Sequence, residues 1–273
     1  MPLITLLSLL VLLAGLGWLA RARRLRRARR TRVRNLLLQA NVGGERFADM
    51  SVDALPAPAA RYLRHALAPG ALLARSVDIR MSGSLRVAAD DWVPFAARQR
   101  LCPERGFIWE ARIAALRRLG VSGADWLFGD DAGVEYALAD WWSIVARHGP
   151  EAALSAAGRM AIELVWMPAA LTPQRGAHWV RGDAERAVVT PAGGKAPLTL
   201  VVAEDGRLQE ASTLRRRIAA NGETSISSYG ISVESEGRWG DLMVPERLVT
   251  AWGIGTDDRM DFMRLAVEDI RWL

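Results

Sequence analysis

Cysteine and histidine are scarce in this sequence, and their scarcity excludes several kinds of site. The 273 residues contain one cysteine, Cys102, and three histidines. A single cysteine cannot form an intrachain disulfide, and so few ligands cannot build a zinc site of the usual spacing. The sequence also lacks a Gly-rich phosphate loop, a G-x-S-x-G turn and an H-E-x-x-H helix. We therefore expect no metal and no cofactor, and no motif identifies a catalytic class.

Acidic residues are absent from the first 34 positions, which hold nine arginines between Arg21 and Arg34. The remaining residues, 35–273, contain 27 basic and 30 acidic side chains, a net charge of −3. A nucleic-acid-binding protein carries its positive charge on the folded domain. The distribution therefore predicts a mildly acidic domain with no nucleic-acid partner, and an arginine segment that contacts the anionic head groups of a membrane.

An uncharged run of 18 residues, Leu3–Ala20, precedes the arginines. As a helix it is about 27 Å long, close to the roughly 30 Å hydrocarbon core of a bilayer. A cleaved signal peptide is the alternative, but no Lys or Arg precedes the run, and the small residues Ala20 and Ala22 flank an arginine. We predict a transmembrane anchor at residues 1–20, a basic juxtamembrane linker at 21–44 and an antiparallel β domain at 45–273.

The position of the arginines also predicts the orientation of the chain. Positive charge beside a spanning helix stays on the cytoplasmic side, and here it all follows the apolar run. The globular domain is therefore expected in the cytoplasm, with the periplasm as the alternative. Because the linker shows no core pattern, residues from about 45 onward are expected to fold without it.

After Arg75, hydrophobicity mostly alternates with a period of two residues, which indicates strands. One helix interrupts them, beginning at Pro150 and stopping near Trp166, before Pro168. About ten or eleven strands joined by short turns predict a mainly β fold. We expect one large curved antiparallel sheet, half-barrel-like, with the helix against its concave side. A flattened β-sandwich is the alternative.

Several motifs give the sequence a resemblance to a known family over roughly residues 55–270. They are Trp92-x-Pro-Phe-x-Ala-x-Gln99, Gly106-Phe-x-Trp-x-Ala111 and, most specific, Arg159-x-x-x-Glu-x-x-Trp-x-Pro168. The chain resembles an uncharacterised bacterial, membrane-anchored family of unknown function, which supplies no activity to carry over. The expected layout of sheet and helix is also similar to the half-barrels of lipoprotein carriers. That likeness implies an acyl-chain ligand, although those carriers work outside the cytoplasm.

Charged residues near the helix are the first candidates for a ligand site. Arg159 and Glu163 lie four apart on one helix face, either as a charged pair over a cavity mouth or as a structural ion pair. Arg215 belongs to a run of three arginines. If it points inward, it needs a partner such as Glu163, because a buried arginine is rarely left unpaired.

Three tryptophans complete the set of candidate ligand-binding residues: Trp109, Trp166 and Trp179. Their large faces suit either an apolar cavity or a packed core. Together, these residues favour a membrane-anchored domain that binds a lipid or another apolar ligand near the membrane surface. A scaffold that binds another membrane protein is the alternative, followed by a membrane-proximal hydrolase that uses Glu163 with Arg159 or His178.

Overall fold

A computed structural model describes residues 2–38, 44–88, 91–114, 119–193, 196–218 and 223–273. The helices are α1 (Pro2–Leu36), α2 (Ala57–Ala66) and α3 (Pro150–Glu163), and short 3₁₀ turns cover Asp49–Val52, Leu164–Trp166, Pro168–Leu171 and Pro173–Arg175. The first strands are β1 (Val77–Arg86), β2 (Trp92–Cys102), β3 (Gly106–Ile113), β4 (Val121–Phe128), β5 (Asp131–Leu138) and β6 (Trp142–His148). After α3 come β7 (His178–Arg181), β8 (Arg186–Thr190), β9 (Leu198–Val202), β10 (Leu208–Ile218), β11 (Thr224–Trp239), β12 (Leu242–Trp252) and β13 (Met260–Trp272).

The strands of the described residues form one antiparallel sheet of 13 strands, in the order β6-β5-β4-β3-β2-β1-β13-β12-β11-β10-β9-β8-β7. The contacts of α3 show that this sheet is curved. This helix contacts β4, β5 and β6, and also β10 and β11 on the other side of the strand order. One helix can reach both groups only if the sheet curls around it. The predicted curved antiparallel sheet with a helix against its concave side is confirmed.

One hairpin was not foreseen from the sequence. The alternation between Val134 and Val145 predicts a single strand, but the structure divides this segment into β5 and β6. Ala139 and Asp140 make the turn with positive φ angles of 50° and 65°. Alanine seldom adopts this left-handed conformation, so the sequence carries no ordinary turn signal at that point.

The main core fills the space between the concave face of the sheet and α2, α3 and the 3₁₀ turns. Alternation along β3 places Phe107 and Trp109 in this core and turns Ile108 to the outer face. Pro150 begins α3 at the first helical turn, and Pro168 follows the 3₁₀ turn in which the helix ends. These boundaries agree with the prediction.

The second half of α1 packs on the outer face of the sheet. Val33 and Leu37 are buried in a small cluster with Ile108, Trp126 and Cys102. The sequence led us to expect no core pattern between residues 21 and 44. The pattern is present: Leu37, the residue after α1, donates its N–H to the backbone oxygen of Val33 at 3.0 Å, so the two apolar residues lie on the same side of a segment whose other sides carry arginine.

Arginines of α1 also form ion pairs with the sheet. Arg23 and Arg27 reach Asp140 at 2.8 and 2.5 Å. Arg29 pairs with Glu135 at 2.6 Å, and a further pair joins Arg34 to Glu110 at 2.8 Å. These side chains therefore contact the β domain, although the sequence had suggested membrane head groups as their partners.

Candidate functional site

A cavity of about 670 Å³ lies between the concave face of the sheet and α3. Its wall is mainly apolar and includes Trp109, Ile113, Val121, Val145, Trp252 and Phe262. The polar side chains of the wall are Asp91, Asp125, Tyr136, Arg159, Arg215 and Tyr229. This size, with an apolar wall and a few polar groups, is typical of a site for a small molecule.

Arg159 projects from α3 between two carboxylates and two aromatic rings. Its Nε donates to Oε1 of Glu163 at 2.6 Å, and Nη1 donates to Oδ2 of Asp125, also at 2.6 Å. The guanidinium carbon lies 4.9 Å from the ring centroid of Trp109 and 5.1 Å from that of Phe107. Burial acts to lower the pKa of Arg159, but the two carboxylates outweigh it and raise the pKa.

Arg215 reaches the same cavity from β10, without a carboxylate. Its Nε donates to the backbone oxygen of Ser155 at 2.9 Å, and Nη2 lies 3.3 Å from the hydroxyl of that serine. Its guanidinium carbon is 4.3 Å from the ring centroid of Tyr229 and 5.2 Å from that of Trp252. Within the described part of the chain, no carboxylate pairs with Arg215, and burial lowers its pKa.

Gly158 allows Arg215 to approach the helix this closely. A Cβ atom at position 158 would lie 2.8 Å from Cγ of Arg215 and 3.3 Å from its Cα. Both distances are too short for an unstrained contact. The absence of a side chain at position 158 therefore leaves the space that the Arg215 side chain occupies beside α3.

Glu163 is buried behind Arg159 and does not line the cavity. Its Oε1 accepts from Arg159, and its Oε2 accepts from the side-chain amide of Gln99 at 2.6 Å. Burial raises the pKa of Glu163, and the positive charge of Arg159 opposes that rise. Each oxygen of this carboxylate thus accepts a hydrogen bond from the protein, and the side chain orients Arg159 from outside the cavity wall.

Two phenol groups complete the polar part of the wall. Burial raises the pKa of Tyr136, and the negative charge of Asp125 adds to that rise. Burial also raises the pKa of Tyr229, while the charge of Arg215 opposes it. Both phenols are therefore neutral at ordinary pH and are able to donate or accept a hydrogen bond.

A smaller cavity of about 220 Å³ adjoins the first. It shares Asp125, Arg159 and Arg215 with the larger cavity and adds Arg147 and Arg217 to the wall. The end of the site formed by the smaller cavity is thus rich in arginine. Among the described residues, no group of three His, Cys, Asp or Glu side chains is arranged to hold a metal ion.

Comparison with protein families gives a match over residues 45–265 to the Family of unknown function (DUF6544). The chain belongs to this family. The match confirms the family resemblance found in the sequence motifs. No curated protein matches the sequence.

Two solved structures are similar to this DUF6544 chain in layout. One is a protein domain from Vibrio parahaemolyticus named for outer membrane lipoprotein sorting, with 8% identity and a TM-score of 0.40, covering 72% of this chain and 85% of that one. The other is a LolA superfamily protein from Nitrosomonas europaea, with 13% identity and a TM-score of 0.41, covering 81% of this chain and 94% of that one. Both structures are named for the group of lipoprotein carriers to which the sequence analysis likened the expected layout.

The six candidate residues of the sequence analysis fall into two groups in this DUF6544 structure. The cavity is lined by Trp109, Arg159 and Arg215. Glu163 lies outside the wall and accepts a hydrogen bond from Arg159. Trp166 and Trp179 are buried in the main core, where their indole N–H groups donate to Pro245 O at 3.0 Å and Leu171 O at 2.8 Å. The exposed residue His178 lies on β7 and does not line the cavity.

Sequence reasoning missed part of the cavity wall, chiefly Asp125, Tyr136, Tyr229, Trp252 and Phe262. One signal was available: Asp125 is the single charged residue of β4, a strand otherwise made largely of apolar residues. The other four are ordinary strand residues. Only the register between strands shows that they converge, as for Tyr229 opposite Trp252.

Proposed function

We propose that this chain is a membrane-anchored protein whose cavity binds an amphiphile with an acidic head group. The observation that carries the proposal is Arg215, a cation in the wall of a mainly apolar cavity with no carboxylate partner in the described residues. A partly buried charge with no opposite charge in contact is destabilising. The carboxylate or phosphate of a ligand would offset that cost, while the apolar wall would hold its chain.

The arrangement of the wall supports a direction for the bound ligand. Arg147 and Arg217 lie with Arg215 in the smaller cavity, so the head group is assigned to that end. The chain then extends along Trp109 and Val121. Arg159 is already paired, and its part is to hold the polar wall in place.

Each of the six candidate residues has a part in this proposal. Trp109 and Arg215 contact the ligand, and Arg159 forms the wall between them. Glu163 fixes the orientation of Arg159, whereas Trp166 and Trp179 stabilise the core behind the site. Variants of the core tryptophans should therefore lower stability without a specific effect on ligand affinity.

The membrane anchor is the second part of the proposal. Among the described residues, α1 is the one helix that is long and apolar enough to cross a membrane. With the arginines after the apolar run, the β domain is assigned to the cytoplasm. A reporter that is active only in the cytoplasm should work when fused after Leu273. Strong activity of an export-dependent reporter at that site would place the domain on the other side.

Ligand binding is tested with cis-parinaric acid, a fluorescent fatty acid, and its uncharged methyl ester. Hydrogen bonds to a charged group contribute about 1.5–3 kcal/mol, so Arg215→Met should weaken binding of the acid roughly 10-fold to 100-fold. Binding of the ester should stay unchanged. Arg216→Met is the matched control, because Arg216 is the next residue of β10 and pairs with Glu151 at 3.3 Å.

Three results would contradict the proposal. Wild-type protein that binds neither probe after removal of bound lipid would contradict any ligand in this cavity. Equal loss of the acid and the ester in Arg215→Met would mean that the arginine supports the fold and does not contact an acidic head. Equal effects of Arg215→Met and Arg216→Met would show that general charge, and not this site, attracts the acid.

A further inference from the structure

The cavity reaches the surface at one end of the sheet, which we call the mouth end. In an antiparallel sheet the last residue of one strand lies beside the first residue of the next. The mouth end therefore holds the strand ends Arg86, Trp92, Ile113, Val121, Leu138 and Trp142. The cavity wall includes Val87, Val93 and Ile144, which are at or near these strand ends. Val87 is 58% exposed and Ile144 is 55% exposed. The apolar lining therefore continues to the protein surface at the mouth end.

The contacts of α1 show which way this helix runs along the outer face. Near its middle, Arg23 and Arg27 bind Asp140, in the turn between β5 and β6 at the mouth end. At its last residue, the backbone oxygen of Leu36 accepts from Arg105 at 2.8 Å, in the turn between β2 and β3 at the opposite end. The apolar half of α1 therefore projects beyond the mouth end.

The mouth end is close to the end of the apolar run. The run stops at Ala20, and Arg23, three residues later, is already bound to Asp140. Three residues of helix span about 4.5 Å. The head-group layer on each side of a bilayer is roughly 5–8 Å thick. Since α1 is one helix from Pro2 to Leu36, a membrane that holds its apolar half lies directly against the mouth end.

Several exposed apolar side chains lie at this end, while others, such as Met50 and Val180, are exposed elsewhere. Outside α1, those at the mouth end include Trp142, Ile144, Val87 and Leu119, all near the strand ends listed above, and Ile226, which is 68% exposed near the start of β11. Arg23 also lies over the ring of Trp141 at 4.5 Å. Tryptophan, arginine and aliphatic side chains in one layer are typical of a surface that rests in the membrane interface.

We infer that the mouth end docks on the bilayer that holds α1, so that the cavity opens into the membrane and not into water. An amphiphile would then pass between the bilayer and the cavity without crossing the aqueous phase. The inference rests on the proposed function in taking the cavity as the ligand site and α1 as a membrane anchor. It adds the surface that contacts lipid and the direction from which the ligand enters.

The test uses the full chain in vesicles of phosphatidylcholine and phosphatidylglycerol, with a fluorophore attached to one introduced cysteine. The variants are Ile144→Cys and Ile226→Cys at the mouth end. Val180→Cys is the control, because Val180 is half exposed on β7, the other edge strand of the sheet. The native Cys102 is buried and should remain unlabelled in the folded protein. Quenching is measured with spin-labelled lipid and with iodide in the water.

Docking predicts strong quenching by spin-labelled lipid and protection from iodide at positions 144 and 226, and the reverse at position 180. Iodide quenching at 144 and 226 as strong as at 180 would overturn the inference. Protection that disappears when each vesicle holds one protein molecule would also overturn it, because the surface would then bind a second copy of the chain. The binding of cis-parinaric acid is measured on the same samples. A protein that binds the acid while its mouth end is open to iodide contradicts the docking alone, and a docked protein that does not bind the acid contradicts the proposed function alone.

Discussion

Replacing Leu37 with alanine tests whether the second half of α1 is part of the folded domain. Leu37 has no exposed surface, and it packs in the outer cluster with Val33, Ile108 and Trp126. A buried Leu→Ala substitution costs about 2–5 kcal/mol, and the cost depends on how far the neighbours can move into the space. Because Leu37 lies one residue beyond the end of α1, we expect the lower part of this range.

A loss of about 2–3 kcal/mol should lower the unfolding temperature by roughly 4–12 °C for a domain of this size. The assay is thermal unfolding of the full chain in detergent micelles, followed by tryptophan fluorescence. Leu38→Ala is the matched control, since Leu38 is the next residue and is 50% exposed. A substitution at an exposed position of this kind usually changes stability by less than about 0.5 kcal/mol.

Equal unfolding temperatures for Leu37→Ala and Leu38→Ala would refute this reasoning. That result would mean that residues 21–44 form a loose linker, as the sequence pattern suggested. A large difference would instead mean that a fragment beginning at residue 45 exposes the apolar surface of Ile108 and Trp126. Such a fragment should aggregate, whereas a fragment beginning at residue 21 should stay soluble.

The remaining predictions concern the site and the contact with α1. Glu163→Gln should lower stability by about 1–3 kcal/mol and weaken binding of parinaric acid, because a neutral side chain holds Arg159 less firmly; unchanged stability and affinity would contradict it. Trp166→Ala should cost about 3–5 kcal/mol with little change in affinity once the protein is folded, as measured by unfolding and titration. Burial raises the pKa of Asp140 and of Glu110, but neighbouring arginines outweigh it and hold both pKa values below the ordinary value: Arg23 and Arg27 of α1 at Asp140, and Arg98 of β2 together with Arg34 of α1 at Glu110. These contacts are therefore fully present above the ordinary carboxyl pKa and are lost as the pH falls through the lowered values. The amides of α1 should lose protection from hydrogen exchange, relative to the intrinsic rate at each pH, below roughly pH 4 and keep that protection at pH 7.

The sequence was sufficient for the parts of the fold that depend on local periodicity. Phe107 and Trp109 face the core and Ile108 faces outward, as the period of two residues in a strand requires. Proline marked both ends of the helical segment around α3 correctly. The hairpin turn at Ala139 and Asp140 was missed because its left-handed residues are not the usual glycine or asparagine.

The outer packing of α1 was missed for a different reason. Val33 and Leu37 are two apolar residues among many arginines. The high average polarity of this segment predicted a linker, although the spacing of the two residues is that of a packed helix. The acidic partners of those arginines are distant in the chain and include Glu110 on β3, Glu135 on β5 and Asp140 in the β5–β6 turn. Nothing in the local sequence identifies such partners.

The candidate site was predicted in part. The spacing of Arg159 and Glu163 identified their ion pair, which exists at 2.6 Å and is buried. The run of arginines pointed to Arg215, but its neighbours Tyr229 and Trp252 come from strands whose register the sequence does not specify. A cavity depends on how distant strands converge, so its wall could not be assembled from local patterns alone.

The most direct test of the account is native mass spectrometry of the full chain after gentle extraction from membranes. We predict that the wild-type protein carries one bound amphiphile with an acidic head. Val134→Trp, which places a large ring in the cavity wall, should carry none while keeping the wild-type unfolding temperature within a few degrees. Wild-type protein with no bound mass, or equal occupancy in the wild type and in Val134→Trp, would contradict the claim that this cavity holds the ligand.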